Sequence, residues 1–414
     1  MSSDHRKNAF DVLSYPEFRA YIFSRFFFIL VLTMQSTLIS WKVYDITKDP
    51  FSIGLIGLAE FIPAFAMAFY AGHVIDRNDK KKLLFFSIAG NLVLSIVLTI
   101  ATSETSIMKL GPTNVLVVIY SVIFFIGIMR AFSGPTSFAL VSQLIPRDKL
   151  PQAITWHSGS WQIAAVSGPA VAGLLYGKIG ITQTFYGMIV MLSISLASVW
   201  MISKKPPFDI NRDESIYQSI RQGFRFVWKS REVLGTMSLD LFAVFFGGAT
   251  ALLPYFADVI SKTGPEGLGM LRSAPAMGSL LVLLWITIRP LKKQQGRLML
   301  YAVAGFGCMI VLFGLSEKFW LSMFALFVSG VLDGISVIVR STILQLKTPD
   351  EMRGRVASLN SIFIMSSNEL GAFESGLSAK ILGVVPAVVF GGCMTLVVTA
   401  ITYFKAPTLK KLEY

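Results

Sequence analysis

Ten charged side chains stand inside otherwise apolar stretches of this chain: Arg25, Lys42, Glu60, Arg130, Asp240, Arg272, Asp333, Arg340, Glu369 and Glu374. A charge at the centre of a bilayer costs about 2.5–3.5 kcal/mol on insertion scales, so such residues face a cavity or a partner. A carboxyl among apolar neighbours can also stay protonated. Glu60, Asp240, Asp333, Glu369 and Glu374 therefore have the chemistry of proton carriers, and Arg130 and Arg340 that of their counter-charges. Asp333 and Arg340 are two helical turns apart, which predicts an internal pair on one face. A purely structural ion pair and a proton or substrate site are both open readings of these acids. Arg25 and Lys42 lie near the ends of their stretches, where a long side chain can reach water. Gln35, Trp41, Arg272 and Asn368 add hydrogen-bonding and stacking groups suited to an amphipathic solute, and Trp41 also fits an interfacial belt.

Other chemistry is disfavoured. The nearest string to a phosphate-binding loop, Gly173-x3-Gly177-Lys178-Ile179, has the wrong spacing and no Ser or Thr after its lysine, which argues against an ATP-driven pump. A membrane enzyme would want a nucleophile with a base or a metal cluster, yet His5, His73 and His157 are dispersed. Cys308 and Cys393 both sit in apolar runs and read as small buried hydrophobes rather than metal ligands or a disulfide. The expectation is a non-enzyme without cofactor or metal.

The elements that must position these groups are helices. Of 414 residues 54% are hydrophobic and 15% charged, with mean hydropathy +0.64. About 20 apolar residues make one span. Apolar runs between polar breaks predict twelve, at 20–43, 51–72, 83–102, 114–136, 155–177, 182–203, 235–258, 267–288, 298–316, 320–346, 356–379 and 383–404. Residues 1–19 read as a polar tail rather than a cleavable signal. Asp49 with Pro50 predicts a capped start for the second helix, and Thr348-Pro349-Asp350-Glu351 a capping box opening the eleventh. The third, sixth, ninth and twelfth spans hold none of the ten charges and read as the lipid-facing set.

The 37 Lys and Arg sort between alternating loops: 26 lie in the tails and the even-numbered loops, one in each of the six opposite loops, and five within spans. The positive-inside rule then puts both termini in the cytoplasm. The net charge of +13 is thereby membrane orientation, and no nucleic-acid partner is expected. The longest break, 204–234, carries an apolar face of Ile216, Ile220, Phe224 and Val227/Trp228, with Arg221, Arg225 and Lys229 on another. This predicts an interfacial helix on anionic lipid.

That break splits the spans six and six. Gly57-x5-Pro63-Ala64 returns as Gly269-x5-Pro275-Ala276, and Gln143-Leu144-x-Pro146 returns near Gln345-Leu346-x-Thr348-Pro349. The organisation expected is an N-terminal six-helix bundle (1–203), a cytoplasmic linker (204–234) and a C-terminal six-helix bundle (235–414). Two related six-helix bundles are a known transporter plan with the site between them.

Between the second and third spans stands Gly72-His-Val-Ile-Asp76-Arg77-Asn-Asp-Lys80-Lys81-Lys82, which resembles the G-x-x-x-D-R-x-x-R-R motif of the major facilitator superfamily, with lysines for arginines. The glycine permits close helix approach, Asp76 can accept from a helix N-terminus, and the basic run faces anionic lipid. Arg130 matches the fourth-helix arginine that the superfamily implicates in proton coupling. Gly168, Pro169 and Gly173 resemble its antiporter pattern G-P-x-x-G-G, with Ala172 replacing one glycine. The second-half loop RPLKKQQGR lacks the Asp-Arg core. SLDLFAVFFGGATALLPYFA, LGMLRSAPAMGSL and SNELGAFESG are similar to the branch holding the enterobactin exporter and macrolide-efflux-type carriers.

The resemblance implies an all-α membrane protein of twelve transmembrane helices in two pseudo-symmetric bundles. It also implies a monomer in a bacterial inner membrane, in contact with lipid, that exports a small organic solute such as a drug or siderophore against protons. Import by proton symport and lysophospholipid flipping are alternatives on the same fold. Alternating access would open a cavity lined by helices 1, 2, 4, 5, 7, 8, 10 and 11, with the Asp76 loop docking on Thr348–Glu351 to close the cytoplasmic side. One proton entering across about 150 mV supplies roughly 3.5 kcal/mol, enough for a gradient of about 300-fold.

Overall fold

A helix occupies each of the twelve apolar stretches in a computed structural model that describes residues 10–205, 216–288, 294–349 and 352–405. They are α1 (Pro16–Thr47), α2 (Pro50–Arg77), α3 (Lys80–Ala101), α4 (Glu104–Leu144), α5 (Leu150–Ile179), α6 (Ile181–Trp200), α7 (Arg231–Phe246), α8 (Gly264–Ile288), α9 (Gln295–Leu315), α10 (Phe319–Lys347), α11 (Arg353–Leu382) and α12 (Val384–Lys405). A further linker helix spans Ile216–Lys229, and no strand occurs among the described residues.

Ten helical stretches among the described residues are long and apolar enough to cross a membrane, the seventh when α7 is taken together with the turns that follow it to Ile260. The remaining two, α5 and α11, are interrupted by more polar residues, α11 by the Ser-Ser-Asn-Glu run at 366–369. Apolar side chains can cover a lipid-facing surface because the helical backbone satisfies its own polar groups within the segment.

Local chemistry explains most of the helix ends. Asp49 caps α2 as expected: its Oδ1 accepts from Phe51 N at 3.1 Å and its Oδ2 from Ser52 Oγ at 3.3 Å, with Pro50 in the first position. Asp79 does the same for α3, accepting from the amides of Lys81 and Lys82. The expected fourth span begins late because α4 contains a kink: Gly111 takes φ +76° just before Pro112, setting a short first helix apart from the long one. The seventh stretch is also broken. α7 stops at Phe246, and Gly247 and Gly248 lead into short irregular turns through Ile260.

Three expectations need correction. Thr348 ends α10 rather than opening α11, which starts at Arg353 after Met352 without a side-chain cap; the rest of the proposed capping box, 350–351, lies outside the described residues. Cys308 and Cys393 are exposed, because an apolar run in a membrane helix does not reveal which of its faces turns outward. The linker helix is only partly interfacial. Val227 is buried in a cluster with Val233, Met237, Leu344, Val356 and Leu359, while Phe224 and Trp228 stack on its exposed side with centroids 5.8 Å apart. The side chains of 216–220 lie outside the description.

The chain divides into two compact units: residues 1–42 with 62–212, and residues 43–61 with 213–414. The last residues of α1 and the first part of α2 therefore belong to the second unit. Within it α2 crosses α11 closely, and a Cβ on Gly57 would stand 2.5 Å from the Glu369 carbonyl oxygen. In the first unit Gly180, at φ +82°, is the sole residue between α5 and α6; in the second, Gly383 at φ +89° joins α11 to α12. Only glycine takes that conformation without strain.

Candidate functional site

The charged residues of the second unit gather in two places. α2, α8 and α11 bring Glu60, Arg272 and Glu369 together, with Arg272 interacting electrostatically with both carboxylates. All three are partly buried. The crossing at Gly57 sets the spacing of α2 and α11, so the two acids flank one guanidinium from opposite helices. Asn368, beside Glu369, is exposed and donates to the Ile364 carbonyl at 2.8 Å. Glu374, further along α11, accepts from Ser378 Oγ at 2.6 Å.

The other gathering lies between α7 and α10. Arg340 pairs with Asp240, not with Asp333 as the spacing along α10 predicts. Both members are buried, at 3% and 5% exposure. Two turns on one helix bring residues to one face, but the guanidinium is taken by a carboxylate from a neighbouring helix. Asp240 and Asp333 nevertheless share one small cavity, lined also by Ala243, Val244, Val303, Phe306, Leu332 and Ser336.

The first unit is built differently. Tyr21 Oη lies 2.7 Å from His157 Nδ1 and 2.7 Å from Ser137 Oγ. Arg25 donates to Ser137 Oγ at 2.8 Å and to the His157 carbonyl at 3.2 Å. α1, α4 and α5 are thus joined by one buried polar knot. Gln35 is 2% exposed and accepts from Ser95 Oγ at 3.0 Å. Trp41 is 6% exposed and meets Tyr176 edge to face, so it belongs to the unit's interior and not to an interfacial belt. Lys42 is partly buried, and Arg130 lies on an exposed face of α4.

Gly168, Pro169 and Gly173 are buried on α5. A Cβ on Gly168 would collide with Thr33 Oγ1, so this position holds α5 tight against α1. The loop motif needs revision. No described atom lies within 4 Å of a Cβ placed on Gly72, so that glycine serves no close approach here. Arg77 is exposed, but Lys80 is 1% exposed, and Lys81 donates to the Trp200 carbonyl at the end of α6 at 3.1 Å. Lys82 gives its amide to the Asp79 cap. The basic run is thus partly structural, and Asp76's side chain lies outside the described residues.

Reasoning from sequence missed Tyr21, Ser137, His157 and Asp79. Asp79 carried a signal, an acidic cap directly before Lys80-Lys81-Lys82 and an apolar run. The other three come from three different helices and share no spacing that could announce them.

A family model described as transmembrane secretion effector matches residues 9–413. The chain belongs to that family of major facilitator transporters. It is a membrane transporter and not an enzyme. The enterobactin exporter EntS of Escherichia coli K12 is 24% identical over 400 residues, covering 95% of this chain and 94% of the relative. The staphyloferrin A transporter of Staphylococcus aureus is 24% identical over 383 residues, covering 91% and 93%. Among solved structures, a POT family transporter superposes with a TM-score of 0.73 at 11% identity, covering 95% of this chain and 96% of that one. The human organic anion transporter MFSD10 superposes at 0.65 with 13% identity, covering 95% and 99%. These superpositions establish the transporter fold, and the membrane-crossing helices make the protein integral to a membrane.

Proposed function

We propose that this transporter exports a small organic solute of the siderophore or drug class in exchange for protons, by alternating access between two six-helix halves. The observation that carries the reading is the set of carboxyls inside apolar helices: Glu60 and Glu369 around Arg272, and Asp240, which pairs with Arg340, sharing one small cavity with Asp333. Carboxyls in apolar helices that outnumber the cations beside them cannot all be neutralised by ion pairing, which leaves some able to carry a proton. The export direction is supported by relatives named as exporters of siderophores and by the antiporter-like Gly168-Pro169 segment. The single-glycine links at Gly180 and Gly383 recur at equivalent places and support an internal repeat with twelve spans. The distribution of Lys and Arg supports cytoplasmic termini in a bacterial inner membrane. Gln35, Trp41, Arg130 and Asn368 remain cavity or coupling candidates, and Gly72 to Lys82 a gating segment.

Proteoliposomes with an imposed pH gradient test this. With enterobactin as the probe cargo and a pH-sensitive dye inside, cargo and protons should move in opposite directions, and a protonophore should abolish accumulation. Movement in the same direction would make the protein a symporter, and movement of neither would end the proton-coupled reading for this cargo class.

A further inference from the structure

The linker helix meets its surroundings differently from a free amphipathic helix. Alone, its apolar side chains would lie in the acyl boundary. Here its inward face is covered by protein of the same unit. A Cβ on Gly223 would stand 3.2 Å from both Arg355 Cβ and Leu359 Cδ1, Arg355 donates to Gln222 Oε1 at 2.6 Å, and Val227 is buried with Val233, Met237 and Val356. α7 follows after Ser230 alone. The last turn of the linker helix is thereby held at the mouth of a membrane-crossing helix, which is the level of lipid headgroups.

What remains outside is chemically sorted. At about 100° per residue, Arg221, Arg225 and Lys229 form one ridge opposite Gly223 and Val227, and the stacked rings of Phe224 and Trp228 fill the strip between that ridge and the buried face. All five side chains are exposed. Residues 221–229 contain no acid, and none of the three cations has a hydrogen bond or ion pair among the described residues. The next acid along the chain, Glu232, is taken by Lys347 at 2.9 Å. Like charges four residues apart oppose a helix, so an anion from outside stabilises this one.

The aromatic strip decides which anion. A soluble polyanion would neutralise the ridge and leave both rings in water, whereas a phospholipid surface offers phosphate with an apolar layer beneath it. We propose that the linker helix is a binding site for anionic phospholipid of the adjoining leaflet. Phe224 and Trp228 enter the headgroup layer, and Arg221, Arg225 and Lys229 take the phosphates. Because Gly223 and Val227 fix the other face to α11 and α7, bound lipid anchors the near ends of those two helices.

The test uses the full chain in nanodiscs containing photoreactive phosphatidylglycerol or the matching phosphatidylcholine, with cross-linked peptides read by mass spectrometry. Each Lys or Arg near an anionic surface is worth about fivefold in affinity, so residues 221–229 should take the phosphatidylglycerol probe in preference by at least about tenfold. High salt should reduce that preference in the wild type. Arg221→Gln, Arg225→Gln and Lys229→Gln together should bring it close to one, and Phe224→Ala with Trp228→Ala should lower labelling by both probes alike. The substituted side chains are exposed, and size-exclusion profiles check that each variant is folded. Equal labelling by the two probes, no labelling of 221–229, a preference kept in the triple variant, or labelling undiminished without the two rings overturns the proposal. So does its loss to soluble glycerol phosphate, which would make the ridge a site for a free anion. Neither cargo nor a pH gradient enters the measurement, so its failure is distinct from failure of the exporter reading.

Discussion

The two units solve the problem of polar groups in apolar helices in opposite ways. In the first, the intramembrane charges are Arg25, Lys42 and Arg130, all basic, and its buried polar contacts are chiefly between neutral partners: Tyr21, Ser137 and His157, Gln35 with Ser95, Ser24 with Ser195. In the second, Glu60, Asp240, Asp333, Glu369 and Glu374 outnumber Arg272 and Arg340. Hydrogen-bonded hydroxyls and amides fix helix positions without gaining or losing charge near neutral pH. Surplus carboxyls do change charge. The first unit thus ties its helices together largely with groups that keep their charge, and the surplus of carboxyls lies in the second.

This contrast can be broken most sharply at Arg340. Arg340→Met removes the cation paired with Asp240, and leaving a buried charge unpaired should cost about 3–5 kcal/mol, seen as a large drop in thermal unfolding temperature in detergent.

In the first unit, Tyr21→Phe leaves His157 and Ser137 without their shared hydroxyl and should cost about 1–3 kcal/mol of stability. The pH profile of transport should keep its midpoint, unlike that of Asp333→Asn; a moved midpoint would dissolve the contrast. Gly168→Ala forces α5 away from Thr33 and should cost about 1–3 kcal/mol by overpacking, again without a change in pH midpoint.

The smallest effect is expected at Lys48, outside the spanning helices. It bonds Asp45 at 3.2 Å and Asp258 at 3.4 Å with its own side chain 57% exposed. Burial alone would lower its ammonium, but the hydrogen bond and charge of Asp45 and the charge of Asp258 outweigh this and raise it above the usual lysine range. A raised value means the pair's contribution is fully present below the unfolded value and is lost only as pH rises through the folded one. Lys48→Ala should therefore shift stability by about 0–1 kcal/mol at neutral pH, less in high salt.

The helices were legible because a membrane span must be apolar for its whole length, and Asp49-Pro50 marked a true cap. Sequence spacing failed where a partner comes from another helix. Arg340 looks closest to Asp333 along α10 but bonds Asp240 of α7, and His157, dispersed in sequence from the other histidines, joins Tyr21 and Ser137. Thr348 misled because the same residue type that opens a helix can end the one before it. Gly72 shows that a motif glycine need not be a packing glycine in every conformation the fold adopts.

The links at Gly180 and Gly383 have a practical use. A single residue leaves no loop to lengthen, so the joined ends of α5 and α6, and of α11 and α12, must stay within one residue's reach of each other. Paired spin labels or fluorophores at those joined ends should therefore keep one separation, a ruler against which changing distances elsewhere in the molecule can be calibrated.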